Sequence, residues 1–216
     1  MKRNVLKVVR FIEKQIKGTI IPSVTQISFR NDPYLVLISC ILSLRTKDRT
    51  TVEASKRLFA MADTPHKMLR LPAGKIQRLI YPVGFYRNKS RVILEISRRI
   101  ISGYHGQVPD KLEELLKFKG VGPKTANLVL GLGFGIPAIC VDTHVHRITN
   151  RLGWVKTKDP QGTEEALKKI VPRKLWIALN TDLVAFGQNI CLPVSPFCSR
   201  CMVHRFCKRC GVTISR

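Results

Sequence analysis

Four cysteines near the end of the chain are the feature that most restricts how it can fold. They follow the spacing Cys-x6-Cys-x2-Cys-x5-Cys and lie within 17 residues, at Cys191, Cys198, Cys201 and Cys207. Thiolates gathered so tightly suit an iron–sulfur cluster or a structural zinc ion, because both take cysteine ligands. The segment is therefore expected to fold around one point.

A second cysteine set leaves the nature of that metal centre open. Cys198, Cys201, Cys207 and Cys210 contain two Cys-x2-Cys pairs, a spacing typical of zinc sites. Spacing alone does not decide between this set and the one that begins at Cys191. Cys40 and Cys140 have apolar neighbours and are expected to be buried as small hydrophobic residues.

The charge of the chain points to a polyanionic partner. Among 216 residues, Lys and Arg number 38 and Asp and Glu number 14, so the formal net charge is +24. Nucleic acid is the first expectation and an anionic membrane the second. The longest apolar stretches, Tyr34–Leu44 and Leu128–Val141, are too short to cross a bilayer, and no secretory signal is visible. In an intracellular protein the thiols stay reduced, which favours metal ligands over disulfides.

The apolar pattern is helical nearly throughout, without a convincing pair of strands or a repeat. Asn31 or Asp32 can cap a uniformly apolar helix that begins at Pro33 and should be central. Asp142 can cap a later helix that Gly153 ends. The fold class is predicted to be all-α.

A helix-hairpin-helix is predicted over about residues 110–134, around a Gly-Val-Gly-Pro turn. Asp110 and Glu113 form a capping-box pattern ahead of the first helix. Gly120 and Gly122 are expected to adopt backbone conformations that a side chain forbids, and to expose amides to a phosphate. Such a hairpin grips the DNA backbone without reading sequence. The alternative is an ordinary turn between two helices.

Lys124 and Asp142 are the candidate catalytic residues. A cation in the first turn of a helix is repelled by the helix dipole, which should lower the pKa of Lys124. A neutral amine is what a Schiff-base nucleophile requires. The alternative is a lysine that contacts a phosphate, and the local sequence favours neither. Asp142 can take a proton during catalysis, or it can act as a helix cap alone.

These motifs resemble those of the endonuclease III family of helix-hairpin-helix base-excision DNA glycosylases. The resemblance is carried by the stretch Gly120–Ala126, by Val141–His144 and by the four cysteines from Cys191 to Cys207. Their order and separation also agree, and the match extends from about Leu35 to the last of these cysteines.

The resemblance implies an all-α fold of two domains. Residues 26–136 would carry the hairpin, and residues 1–25 with 137–216 would form a discontinuous domain with a [4Fe–4S] cluster at 191–207. Double-stranded DNA with a damaged base or an abasic site would lie between the two. The protein is then expected to be a monomer in the cytoplasm, associated with the nucleoid and not with a membrane.

The resemblance also implies a bifunctional enzyme for oxidised or otherwise damaged pyrimidines. The damaged base is flipped out of the stack, Lys124 attacks C1′ and forms an imine, and β-elimination nicks the strand. Asp142 would activate the lysine and stabilise positive charge on the sugar. Relatives that only remove bases lack this lysine. The alternatives are a base-only glycosylase for mismatched uracil or thymine, and a non-catalytic DNA-binding protein. The expected DNA contacts in the matched motifs are Gly120, Val121, Gly122, Thr125 and His144.

Two positions depart from the family pattern. Arg45 stands where the family commonly has glutamine, in a loop that fills the gap left by the flipped nucleotide. It either contacts the estranged base or binds a phosphate. Phe85 stands where leucine is usual, and an aromatic wedge can still enter the base stack.

Overall fold

The helical pattern of the sequence is realised throughout the structure. The structure, a computed structural model, describes residues 2–19, 21–28 and 32–216, and these contain no β-strand, which confirms the predicted all-α fold. The chain divides into two compact units, one made of Met1–Pro22 and Pro137–Arg216 and the other of Ser23–Ile136. Across the described residues, every helix is too short or too polar to cross a lipid bilayer.

The described residues of the unit Ser23–Ile136, here called the hairpin unit, form eight helices and a π-helical turn. The turn, Val129–Gly133, directly continues the last helix. The helices are α2 (Ser23–Ser28), α3 (Pro33–Ser43), α4 (Asp48–Met61), α5 (Pro65–Leu69), α6 (Ala73–Ile80), α7 (Tyr86–Tyr104), α8 (Leu112–Leu115) and α9 (Pro123–Leu128).

Helix α3 is the central element of the hairpin unit, as its uniformly apolar sequence predicts. Its residues from Tyr34 to Leu42 are all buried, and it contacts α2, α4, α7, α9 and the π-helical turn. Asp32 caps it by accepting hydrogen bonds from the amides of Tyr34 and Leu35, while Asn31 lies outside the described residues. Burial of each large apolar side chain contributes about 1.5–3 kcal/mol, so α3 holds the unit together.

In the other unit, here called the cysteine unit, the N-terminal segment packs with the C-terminal part of the chain. Its helices are α1 (Lys2–Ile16), α10 (Thr143–Leu152), α11 (Pro160–Ile170) and α12 (Trp176–Asn189). Helix α1 buries Val5, Val8, Val9 and Ile12 in a core shared with α10 and α12. The four cysteines follow α12 in a loop with one short 3₁₀ turn, His204–Phe206.

One local prediction in the hairpin is wrong. The capping box required Asp110 as the N-cap of the first helix, but the backbone stays extended through Lys111, which is the N-cap and has no side-chain hydrogen bond. The third helical residue is therefore Glu114. Its carboxylate accepts hydrogen bonds from the Tyr104 hydroxyl and the Lys117 amine, so these side chains tie α8 to α7.

Candidate active site

The hairpin turn uses its two glycines for different purposes. Gly120 has a φ of +78°, in the left-handed region that disfavours side chains, and only ordinary contacts surround a Cβ built there. Gly122 has a φ of −102° with extended ψ, a conformation open to any residue. The expectation that both glycines are needed for backbone conformation is therefore wrong for Gly122. A Cβ on Gly122 would meet no atom within 4 Å, so this glycine leaves open surface.

The other hairpin residues face the interior. Val121 is buried and donates its amide to the carbonyl of Phe118. Thr125 is 4% exposed, so little of this residue is open to a phosphate. The exposed surface of the turn is thus formed largely by Gly122 and the residues next to it in the chain.

Lys124 lies in the first turn of α9, directly after the hairpin turn, and it is exposed. Its charge acts on the buried thiol of Cys40 in α3. Burial raises the pKa of Cys40 to about 12, and the lysine charge works in the opposite direction. The exposed amine on α9 therefore lies near enough to the buried helix α3 to act on the thiol of Cys40.

Asp142 caps α10 from the cysteine unit, as predicted. One oxygen, Oδ1, accepts hydrogen bonds from the amides of His144 at 2.9 Å and Val145 at 2.8 Å. The side chain is nearly buried, at 9% exposure. Because both cap bonds fall on Oδ1, the second oxygen takes no part in the cap. The carboxylate can thus cap the helix and act as a base at the same time.

His144 joins the capped turn to the cysteine loop. Its Nδ1 lies 3.2 Å from Nη2 of Arg147, and the ring packs so closely on Gly187 that a Cβ there would lie 2.4 Å from Nδ1. The same guanidinium group donates to the carbonyl oxygens of Gly187 and Cys191. His144 is therefore built into the packing of α10 against α12.

Arg45 and Phe85 lie together in the hairpin unit. Both have left-handed backbones, with φ of +52° and +57°, and the Arg45 guanidinium carbon lies 5.8 Å from the centre of the Phe85 ring. Phe85 is 62% exposed, which is unusual for an aromatic side chain. The structure thus brings together the two positions that depart from the family pattern, although they are 40 residues apart in sequence.

Lys89 is a residue of this region that the sequence reasoning missed. It is 6% exposed, and burial lowers its pKa to about 8. Its amine donates to the carbonyl oxygens of Leu42 and Leu44 and to the hydroxyl of Thr46. The available signal was its place on the apolar face of α7, three residues before Val92, where a lysine is unexpected.

The four cysteines from Cys191 to Cys207 line one cavity in the cysteine unit. Cys210 does not line it, and the remaining wall is largely apolar, with Ile148, Phe186 and Val203. Burial raises the pKa of Cys201 to about 11 and also raises that of Cys207. A metal centre would therefore have to displace protons from these thiols.

The four thiols line a cavity instead of meeting at a single point. No three His, Cys, Asp or Glu side chains of the described residues converge closely enough to hold one metal ion. Zinc draws its thiolates to about 2.3 Å from one centre. A [4Fe–4S] cluster takes four cysteines around a larger core.

Two side chains fix the cysteine loop. Arg151, 8% exposed, donates to the sulfur of Cys191 at 3.5 Å and to the carbonyl oxygens of Leu192 and Pro193. From α1, Gln15 donates to the carbonyl of Arg200 and accepts from the amide of Met202. The sequence separations, about 40 and 185 residues, explain why local patterns did not reveal these contacts.

Comparison with known proteins settles the family. The family model of HhH-GPD superfamily base excision DNA repair proteins matches residues 38–173. Endonuclease III of Thermotoga maritima is 52% identical over 177 residues, which cover 82% of this chain and 83% of that protein. The chain belongs to the endonuclease III family. It is accordingly a base excision repair DNA glycosylase with abasic-site lyase activity, which confirms the function predicted from the motifs.

Solved structures agree with this assignment. A trapped endonuclease III–DNA covalent intermediate, an estranged-adenine complex, has a TM-score of 0.83 and 32% identity, with 97% of this chain and 96% of that chain covered. A thermostable thymine-DNA glycosylase has a TM-score of 0.85 at 24% identity, covering 96% of each chain, and shows a shared fold alone.

Proposed function

We propose that this endonuclease III family member binds damaged duplex DNA, removes oxidised pyrimidines through Lys124, and nicks the resulting abasic site. The observation that carries the proposal is the position of Lys124, an exposed amine in the first helical turn after the hairpin. A nucleotide whose backbone is held at the turn would present its sugar close to this amine. The protein would act as a monomer on DNA of the nucleoid.

The hairpin supports this proposal by combining a bare turn with a helix N-terminus. The open surface at Gly122 allows a phosphate to approach backbone amides closely. The positive end of α9 then stabilises the phosphate charge. The same arrangement therefore holds the substrate backbone beside the amine of Lys124.

The reaction requires one bond to form as another breaks. Nζ of neutral Lys124 bonds to C1′, and the glycosidic electron pair leaves with the damaged base. Loss of the amine proton and opening of the sugar ring give an imine between Nζ and C1′. Removal of a C2′ proton then expels the 3′ phosphate by β-elimination. Water finally hydrolyses the imine and releases the enzyme.

Asp142 is proposed to take the proton that Lys124 loses and to stabilise the positive charge on the sugar. Its Oδ1 is held by two amides, so the proton transfer is assigned to Oδ2. A general base in this position typically accelerates a step by about 10²–10⁴-fold. This assignment requires Lys124 and Asp142 to act on one nucleotide of the bound DNA.

The cysteine cavity is proposed to hold a [4Fe–4S] cluster on Cys191, Cys198, Cys201 and Cys207. The choice of Cys191 over Cys210 rests on the cavity lining. When bound, the cluster would cross-link the loop and would take no part in the repair reaction. Arg200 and Arg205 are exposed on that loop. An ordered loop would present both guanidinium groups to DNA phosphates.

Arg45 and Phe85 are proposed to enter the duplex when the damaged nucleotide leaves it. Phe85 is exposed enough to act as a wedge, and the Arg45 guanidinium lies over the same ring. This contact supports insertion of Arg45 beside the estranged base over a phosphate contact elsewhere. An aromatic wedge opens the stack at a cost of a few kcal/mol, which binding to the distorted DNA offsets.

Replacement of Lys124 tests the proposed chemistry. Lys124→Gln removes the nucleophile but keeps a long polar side chain, so it should abolish strand nicking while DNA binding persists. The matched control is Lys119→Gln, an exposed hairpin lysine whose amine lies 3.4 Å from Glu95, and it should keep nicking activity. The measurements are gel assays of nicking on a lesion duplex and titrations of binding. If Lys124→Gln nicks at the wild-type rate, the assignment is wrong.

A further inference from the structure

We propose that Lys89 is a positioning residue that holds Arg45 and Phe85 as one unit for entry into the DNA duplex. The inference rests on the proposed function, because it presumes that these two side chains enter the gap left by the flipped nucleotide. It concerns two short segments, the arginine loop (residues 44–47) and the wedge turn (residues 82–85). Lys89 lies in α7, one helical turn after the wedge turn ends.

The side chain of Lys89 forms hydrogen bonds to the arginine loop and to the end of α3. Its amine donates to the carbonyl of Leu42 at 2.8 Å, to that of Leu44, and to the Thr46 hydroxyl at 3.1 Å. Leu42 belongs to the last turn of α3, whose carbonyl groups have no partner within the helix. A buried cation at this end is favoured by the helix dipole. Lys89 thereby fixes the point at which α3 turns into the arginine loop.

The backbone of the same residue holds the wedge turn. The amide of Lys89 donates to the carbonyl of Phe85 at 2.9 Å. One residue therefore contacts both segments, the first through its side chain and the second through its main chain. Lys89 is therefore one of the links between the two segments.

The two segments also touch each other directly beneath their side chains. The amide of Gly84 donates to the Thr46 hydroxyl at 3.2 Å, so Thr46 is shared between Gly84 and Lys89. A Cβ on Gly84 would lie 2.6 Å from the carbonyl oxygen of Arg45, closer than real atoms approach. The absence of a side chain here permits the close approach that brings the two segments together.

Strained backbones explain why such a support is needed. Arg45 and Phe85 both have positive φ values without being glycine. Each such conformation costs on the order of 1–3 kcal/mol and persists only when surrounding contacts determine it. The hydrogen bonds of Lys89 are placed where they can maintain both conformations. Without them the segments are expected to relax, and the two side chains would no longer point together.

The consequence for the reaction is selective. Removing a base from an intact duplex requires the nucleotide to be extruded and the gap to be filled. An abasic site has already lost its base, so its extrusion costs less. Loss of Lys89 should therefore slow base removal far more than nicking of an abasic site. A purely structural role would reduce both activities in the same proportion.

The test compares Lys89→Met with Thr46→Val and with the control Ser90→Ala. Ser90 is the next residue of α7, fully buried, and its hydroxyl donates only within the helix, to the carbonyl of Arg87. Single-turnover base removal should fall about 100-fold for Lys89→Met, as for other misplaced catalytic groups. Nicking of a preformed abasic site should stay within a factor of about three of wild type, and Ser90→Ala should affect neither.

Thr46→Val keeps the buried amine and removes only the shared hydroxyl, so it should show a weaker form of the same selectivity even if Lys89→Met folds poorly. In a Phe85→Ala background, Lys89→Met should cause a smaller further loss of base removal than it does in the wild type, because residues that act through one another are not additive. Equal losses in both assays for both variants, or full additivity with Phe85→Ala, would overturn the inference.

Failure of the inference is distinguishable from failure of the proposed function. If Phe85→Ala alone reduces base removal and abasic-site nicking equally, the wedge itself is wrong. If Phe85→Ala is selective but Lys89→Met and Thr46→Val are not, only the role of Lys89 is wrong.

Discussion

At the scale of single residues, Asp142 caps α10 and is proposed to be the catalytic base, and mutation can separate these two roles. Its cap uses Oδ1 alone, and asparagine caps helices about as well as aspartate. Asp142→Asn should therefore keep the stability of the protein, while the rates of base removal and nicking fall by about 100-fold or more through loss of the base. Thermal unfolding and single-turnover rates measure the two effects.

The matched control is Asp159→Ala, which removes the cap of α11 in the same unit. Asp159 accepts from the amide of Gly162 at 2.8 Å, and its loss should cost about 1 kcal/mol of stability without slowing the reaction. An Asp142→Asn enzyme with wild-type rates would show that Asp142 serves only as a cap.

Asp182 predicts how stability depends on pH. Burial raises the pKa of this α12 carboxyl from 3.8 to about 7, and Glu13 shifts it in the same direction. Its Oδ2 is buried and accepts no hydrogen bond from the described residues. A raised pKa means that the folded state holds the proton longer than the unfolded state, so stability should fall as pH rises from about 4 to 7.

Asp182→Asn removes this penalty. Its midpoint of thermal unfolding should exceed that of wild type at pH 8, by an amount equivalent to about 1 kcal/mol or more, and the difference should vanish near pH 4. Asp110→Asn, at an exposed carboxylate, is the control. It should leave the midpoint of thermal unfolding unchanged at both pH values. A difference between Asp182→Asn and wild type that is the same at both pH values would contradict the assignment.

The sequence predicted correctly the residues whose structural role depends on residues close to them in the chain. Asp142 and Gly153 were predicted as the two ends of α10, because a cap and a stop are set within four residues. Lys89 was missed because its partners lie 43–47 residues away. The capping box failed for a related reason, since the side chain at Glu114 is held by Tyr104 of α7, which a local pattern does not include.

At the scale of elements, the hairpin predicts different results for its two glycines. Gly120→Ala places a side chain at a φ of +78° and should cost about 1–2 kcal/mol of stability. Gly122→Ala adds a methyl group in open space, so the fold should tolerate it. The same methyl would lie where a phosphate approaches, so affinity for DNA should fall about tenfold or more, as when a charge-assisted hydrogen bond is lost.

Thermal unfolding and titration with an abasic-site duplex, carried out on both variants, compare these outcomes directly. A Gly122→Ala protein that binds DNA as tightly as wild type would show that the turn does not contact the backbone. A Gly120→Ala protein as stable as wild type would show that its conformation is not required.

At the scale of the whole molecule, the first helix joins the last segment of the chain. Gln15 of α1 bonds to the loop that holds Cys201, and Phe11 stacks on Phe206 with ring centres 5.7 Å apart. The net charge and the cysteine spacing predicted a basic protein with a metal-binding loop, because these are properties of composition and short range. The contacts that close the loop span nearly the full chain and required the fold.

The two compact units contribute different proposed functional groups. The hairpin unit supplies the amine, the arginine loop and the wedge turn, and the cysteine unit supplies the carboxylate and the cysteine loop. The chain thus folds two compact units, and each contains one of the two proposed catalytic residues. The proposed chemistry requires only that the neutral amine of Lys124 reaches C1′ of a flipped nucleotide.

The most direct test is to trap that bond and locate it. Borohydride reduces an imine to a stable amine, so wild-type protein incubated with a lesion duplex and borohydride should become covalently attached to the DNA. Proteolysis and mass spectrometry should then place the adduct on Lys124. An adduct on another lysine, or base release and nicking without any adduct, would contradict the account.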